Sequence, residues 1–68
     1  MKELKQLGDK IKQIRSSKKI PRERFSIETE LARSYIYRIE EGTGNPSIKS
    51  LLRISKELGV KVKDLIDF

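Results

Sequence analysis

Residues 31–42, LARSYIYRIEEG, separate into two sides when wound at about 100° per residue. Ile36 and Ile39 fall on one side, suited to a core. Arg33, Ser34, Tyr37 and Arg38 fall on the other and supply two guanidinium forks, a hydroxyl and a phenol. Such groups hydrogen-bond phosphates and base edges, so this stretch reads as a DNA-reading helix over about Arg33 to Glu41. Tyr35 lies nearer the edge of the core, where it either packs with its hydroxyl in water or joins Tyr37 on DNA.

The segments on either side are also helical. Leu4, Leu7, Ile11 and Ile14 recur at spacings of three and four, which predicts a first helix from about Glu3 to Lys18. Lys18 and Lys19 fall in its last turn, where they either complement the helix dipole or contact phosphate. Pro21 then starts a short second helix, Arg22 to Thr29, anchored by Phe25. Thr29, Glu30 and Leu31 form the turn into the opening stretch, and two short helices joined this way make a helix-turn-helix unit. Gly42 stops the third helix and GTGNP continues as loop. Ser47 caps a fourth helix reaching Leu58, and Gly59 ends it. A last apolar segment from Lys61 to Phe68 either closes the core or meets a partner. The expected fold is all-α with five helices, one domain over residues 1–68.

Composition narrows the function. The 68 residues hold 16 Lys and Arg against 10 Asp and Glu, a net charge of +6, with no His and no Cys. Disulfides and thiolate metal sites are therefore excluded, and catalysis has no His, Cys or glycine-rich phosphate loop to support it. No enzyme activity, cofactor, metal or small-molecule ligand is expected. No apolar run approaches the roughly 18 residues of a membrane span, and the N-terminus lacks a signal-peptide core, so a cytoplasmic location is expected. The charge is uneven. Residues 1–24 hold nine basic and three acidic side chains, residues 25–44 two and four, and residues 45–68 five and three. Basic flanks would supply affinity for phosphate while the middle discriminates among sequences.

LGDKIKQIR (Leu7 to Arg15), Leu31, SYIYRIEEG (Ser34 to Gly42), NPSIKSLLRISKELGV (Asn45 to Val60) and DLI (Asp64 to Ile66) together resemble the lambda-repressor/Cro-like helix-turn-helix regulators. The small format is similar to controller proteins of restriction-modification systems and to phage or plasmid repressors. The resemblance implies that the third helix enters the major groove with Arg33, Ser34, Tyr37 and Arg38 towards the bases. It places Arg22, first in the second helix, on a phosphate or as a brace for a reading side chain. It places Thr43, Asn45, Ser47 and Lys49 on the DNA backbone, and it pairs Arg15 with Glu40. Three positions depart from the family pattern. Phe25-Ser26 replaces Leu-Ala, Glu30 stands where the turn usually has Gly, and Ala32 stands where a Ser or Thr would cap the third helix. At Glu30 the backbone either takes on a left-handed residue at a cost on the order of 1 kcal/mol or adopts a different turn, and the missing cap forfeits roughly 1 kcal/mol.

The function these features imply is sequence-specific binding of double-stranded DNA by a transcriptional regulator, acting as a homodimer on a two-fold symmetric operator. Leu52, Val62, Leu65, Ile66 and Phe68 are the expected dimer surface. The alternative is a protein-interaction module, antitoxin-like or adaptor, that keeps the scaffold; it has no need for Arg33, Ser34 and Arg38 beside a basic flank. Membrane-surface binding by the first helix fits least, because Glu3 and Asp9 dilute its charge and its apolar stripe is needed for the core.

Overall fold

Five helices follow the apolar periodicity in a computed structural model that describes residues 1–67. They are α1 (Lys2–Ser17), α2 (Arg22–Thr29), α3 (Arg33–Glu40), α4 (Ile48–Leu58) and α5 (Val62–Leu65). Among the described residues there is no strand, and no helix is long and apolar enough to cross a membrane.

The core takes Leu7 and Ile11 from α1, Phe25 from α2, Ile36 and Ile39 from α3, Leu51, Ile54 and Leu58 from α4, and Leu65 from α5. α1 packs on α3 and α5, α2 on α3 and α4, and α4 on α5, so α3 is held between α1 and α2. Phe25 is fully buried and is the apolar anchor of a helix that otherwise has little amphipathic character. Burying a ring of that size contributes about 1.5–3 kcal/mol, and packing of this kind keeps so short a helix formed.

Contact between α1 and α3 is close at Gly8. A Cβ there would stand 2.2 Å from the Ile39 carbonyl oxygen, so only a glycine lets the two backbones meet. Further along the same pair, Arg15 donates from Nε and Nη2 to the two oxygens of Glu40, at 2.6 and 3.1 Å. The pair implied by the resemblance is thus present. It is buried, with Arg15 7% and Glu40 2% exposed.

The helix ends differ from the sequence expectation in two places. α1 stops at Ser17, because Lys19 turns left-handed (φ 57°) and the Ile20 amide donates back to the Arg15 carbonyl at 3.1 Å. Lys18 and Lys19 therefore form the exit turn, not the last helical turn. α5 is a single turn that ends at Leu65; the Lys61 amide donates to the Asp64 carboxylate at 2.9 Å and sets its start. α4 begins and ends as expected, with the Ser47 hydroxyl accepting from the Ser50 amide at 3.1 Å and Gly59 left-handed at φ 71°.

Glu30 resolves one open alternative by adopting the left-handed conformation, φ 59° and ψ 33°. Ser26 offsets that strain from the opposite side of the turn. Its carbonyl accepts from the Leu31 amide at 3.2 Å, and its hydroxyl donates to the Leu31 carbonyl. The serine that departs from the family pattern is thus the residue that fastens the atypical turn. Ala32 is the N-cap of α3 and gives no side-chain cap, as expected.

Candidate nucleic-acid interface

α3 carries its charges outward because Ile36 and Ile39, three residues apart, are fixed in the core. Arg33, Ser34, Tyr37 and Arg38 are all exposed, and half of the Tyr37 surface meets solvent. Arg22 reaches this face from the start of α2. Its guanidinium carbon lies 5.1 Å from the centre of the Tyr37 ring, a cation–π distance, and its Nε lies 3.6 Å from a Glu40 oxygen. Arg22, Glu23, Arg33, Ser34 and Tyr37 line one open recess.

The loop after α3 folds back onto that helix. The Arg38 carbonyl accepts from the amides of Thr43 and Gly44, each at 2.9 Å, and from the Thr43 hydroxyl at 3.3 Å. Gly42 makes this reversal at φ 81°, next to the α1 backbone at Lys5. Thr43, Asn45, Ser47 and Lys49 are exposed. Thr43 and Ser47 differ from the other two in that their hydroxyls and amides are already engaged, those of Thr43 with the Arg38 carbonyl. The Ser47 hydroxyl serves the Ser50 amide, and the Ser47 amide donates to the Tyr35 oxygen at 3.3 Å.

Tyr35 corrects an expectation. Its hydroxyl does not sit free in water; it donates to the Ser50 hydroxyl at 3.1 Å while accepting from the Ser47 amide. The phenol ties α3 to the first turn of α4, and with the Arg38 loop bonds it joins α3, the loop and the start of α4 into one unit. Periodicity placed Tyr35 at the core edge but held no information about its partners, which lie 12 and 15 residues away.

The residues expected at a dimer surface separate into groups. Leu52 is 56% and Ile66 43% exposed, Val62 is partly buried against the core, and Phe68 lies outside the described residues. Leu65 is 0% exposed. Its side chain closes the core beneath α5, which corrects its assignment to a partner surface. Ile48, 67% exposed, lies one helical turn from Leu52 on α4.

Residues 8–67 match the family described as the helix-turn-helix domain. This chain belongs to that family. Within the helix-turn-helix family it is 48% identical over 62 residues to the control protein C.BamHI of Bacillus amyloliquefaciens, covering 90% of this chain and 76% of that protein. It is 32% identical over 60 residues to the immunity repressor protein of Bacillus phage phi105, covering 88% of this chain and 42% of the repressor. The crystal structure of the restriction-modification controller protein C.AhdI from Aeromonas hydrophila superposes with a TM-score of 0.92 at 25% identity, over 96% of this chain and 98% of that one. The resemblance read from the motifs therefore holds, both for the family and for its controller and repressor relatives. Like them, this helix-turn-helix chain is no enzyme.

Proposed function

We infer that this chain is a transcriptional regulator that binds double-stranded DNA in a sequence-specific manner, acting in the cytoplasm as a homodimer on a two-fold symmetric operator. The observation that carries this reading is the outward side of α3, where Arg33, Ser34, Tyr37 and Arg38 stand exposed on a helix whose opposite side is locked into the core. A helix presented in this way fits the major groove, about 12 Å wide. Arg33, at the helix start, is the bidentate donor for a guanine edge. Asn45 and Lys49 would grip backbone phosphates beside it; the Thr43 hydroxyl would join them by leaving the Arg38 carbonyl, and the Ser47 hydroxyl by giving up part of its capping role. Control and repression, named in two of the relatives, are the kind of activity proposed.

Two copies are needed on physical grounds. The molecule measures 27 × 22 × 22 Å, and a single α3 spans only a few base pairs. Half-sites one helical turn apart, about 34–36 Å, accommodate two such bodies side by side. Leu52, Val62 and Ile66, together with Ile48, are the proposed contact between them, with Phe68 assigned to it on sequence alone.

The test is selection of binding sites from random duplex DNA, followed by affinity measured against salt concentration. A palindromic enriched site whose affinity falls as salt rises is the expected result. Failure to enrich any site overturns the reading. For the dimer, sedimentation at high micromolar concentration should show a dimer for the wild type and a monomer for Leu52→Glu. A wild type that stays monomeric with and without DNA removes that part.

A further inference from the structure

α3 carries the reading side chains and α4 carries Ile48 and Leu52 of the proposed dimer contact, yet the two helices lean mainly on other elements. α3 packs on α1 and α2, and α4 on α2 and α5. Among the described residues, the hydrogen bonds from α3 to α4 and its cap all run through one group, the Tyr35 hydroxyl. It donates to the Ser50 hydroxyl at 3.1 Å and accepts from the Ser47 amide at 3.3 Å. Ser50 is buried, and its own amide is held by the Ser47 hydroxyl at 3.1 Å, so both bonds end on the capped first turn of α4. Ile48, 67% exposed, lies between Ser47 and Ser50 in that same turn. At the other end, the Tyr35 ring packs against the core in the first turn of α3, where its neighbour Ser34 faces outward.

We propose that Tyr35 is a positioning residue for operator spacing: by tying the first turn of α3 to the α4 turn that carries Ile48, it fixes the separation of the two reading helices in the dimer, and with it the half-site spacing that the dimer accepts. The proposal rests on the DNA-binding and homodimer readings and deepens them. In a two-fold dimer, any movement of α3 relative to the contact surface occurs in both copies. One base pair added between half-sites moves them apart by about 3.4 Å and turns them by about 35°, a full turn taking about 10–10.5 base pairs. Each copy has to absorb about half of this, roughly 1.7 Å. A shift of that size along either Tyr35 bond carries it out of hydrogen-bond range. The correct spacing keeps both bonds and a wrong one breaks them, so spacing is selected as a difference between right and wrong partners. Base preference within a half-site is a separate matter, because Arg33, Ser34, Tyr37 and Arg38 stand on α3 itself.

The experiment compares wild type, Tyr35→Phe, Ser50→Ala and the double variant. Each is titrated with the selected operator and with the same half-sites set one base pair closer or farther apart, at several salt concentrations. Tyr35→Phe removes one oxygen and leaves the ring in place. Ser50→Ala removes the acceptor at a buried position and keeps the Ser47 cap, whose donor is the Ser50 amide. Circular dichroism and thermal unfolding check the fold, and sedimentation checks the dimer. The wild type should prefer one spacing, and each single variant should lose about threefold to tenfold of that preference, the effect of a hydrogen bond. Base preference within the half-site and the salt slope should stay unchanged, and the double variant should lose no more than Tyr35→Phe. Equal affinity of the wild type for all three spacings, an undiminished preference in Tyr35→Phe, or wild-type behaviour of Ser50→Ala would each overturn the proposal. Uniform weakening by Tyr35→Phe with a smaller salt slope would mark a phosphate contact and overturn it, as would loss of the dimer in that variant. If Tyr35→Phe is unfolded, the result for Ser50→Ala decides. If the wild type enriches no DNA site or stays monomeric on DNA, the corresponding reading fails and this role fails with it; if a palindromic site is enriched by a dimer and neither variant alters the spacing preference, the Tyr35 link alone is lost.

Discussion

Arg15 and Glu40, 25 residues apart, form a buried two-point ion pair that joins the end of α1 to the end of the proposed reading helix. Arg15 is further fixed by donating from Nη1 to the Ile20 carbonyl at 2.5 Å, so the same side chain also closes the turn into α2. Among the described residues, no buried side-chain nitrogen or oxygen lacks a hydrogen-bond partner. This satisfaction matters because an ion pair out of water is stabilising only when its remaining groups are bonded as well.

Removing one partner should therefore cost more than the pair contributes. Arg15→Met leaves the Glu40 carboxylate buried with only the more distant Arg22 for compensation. The expected loss is about 3–5 kcal/mol, a large fraction of the stability of so small a chain. Urea unfolding followed by circular dichroism measures it. A loss below about 1 kcal/mol would mean that water reaches Glu40 in the variant.

Gly8 sets the spacing between α1 and α3. Alanine is the better helix former by about 1 kcal/mol, so on local grounds Gly8→Ala ought to stabilise α1. The added Cβ, however, would fall 2.2 Å from the Ile39 carbonyl oxygen and 2.9 Å from that of Glu40, and both are backbone atoms with little freedom to move. The helices must part, and a net destabilisation on the order of 1–3 kcal/mol is expected from thermal unfolding. A raised melting temperature would show that the two helices separate at little cost.

The turn between α2 and α3 has room for improvement. Glu30 is left-handed at φ 59°, so Glu30→Gly should raise the urea midpoint by a stabilisation of about 0.5–1 kcal/mol. Ala32, extended at φ −60° and ψ 143° with no side-chain cap, should accept Ser and gain roughly 1 kcal/mol from a new bond to an α3 amide. Ser26→Ala should act in the opposite sense, because it removes the hydroxyl donated to the Leu31 carbonyl. Equal stability of Ser26→Ala and the wild type would contradict the fastening role given to Ser26.

On DNA, Arg33 and Lys49 should differ in kind. Arg33→Ala is expected to cost about 1–3 kcal/mol at one base pair and to relax preference there. Lys49→Ala should weaken all sequences alike and lower the salt slope by about 1. Affinity for the selected operator and its single-base-pair variants, measured across a salt range, separates the two patterns. Uniform weakening by Arg33→Ala would reassign that side chain to a phosphate.

Features that act within one helix are legible in the sequence, whereas those that join helices are not. The cap at Ser47 and the stops at Gly42 and Gly59 were legible because each works through neighbours within a turn of helix. The outward position of Arg33, Ser34, Tyr37 and Arg38 followed from Ile36 and Ile39 for the same reason. The burial of Leu65 is not legible, because an apolar residue in a short terminal helix reads the same whether it faces its own core or a partner. The partners of Tyr35 are not legible in the sequence, because Ser47 and Ser50 become its neighbours only after α4 has docked.

The sequence alone determined where the helices lie and which side of α1 to α4 turns inward, since both depend on side-chain spacing along 3.6 residues per turn and on caps within the same helix. The resemblance already implies the Arg15–Glu40 pair, but tertiary structure alone decided the other polar partners between helices: Arg22 beside Glu40 and against Tyr37, and Tyr35 with Ser47 and Ser50. Whether an arginine grips phosphate or braces a ring depends on which surfaces stand within about 6 Å of it, and that is set by packing between elements distant in the chain.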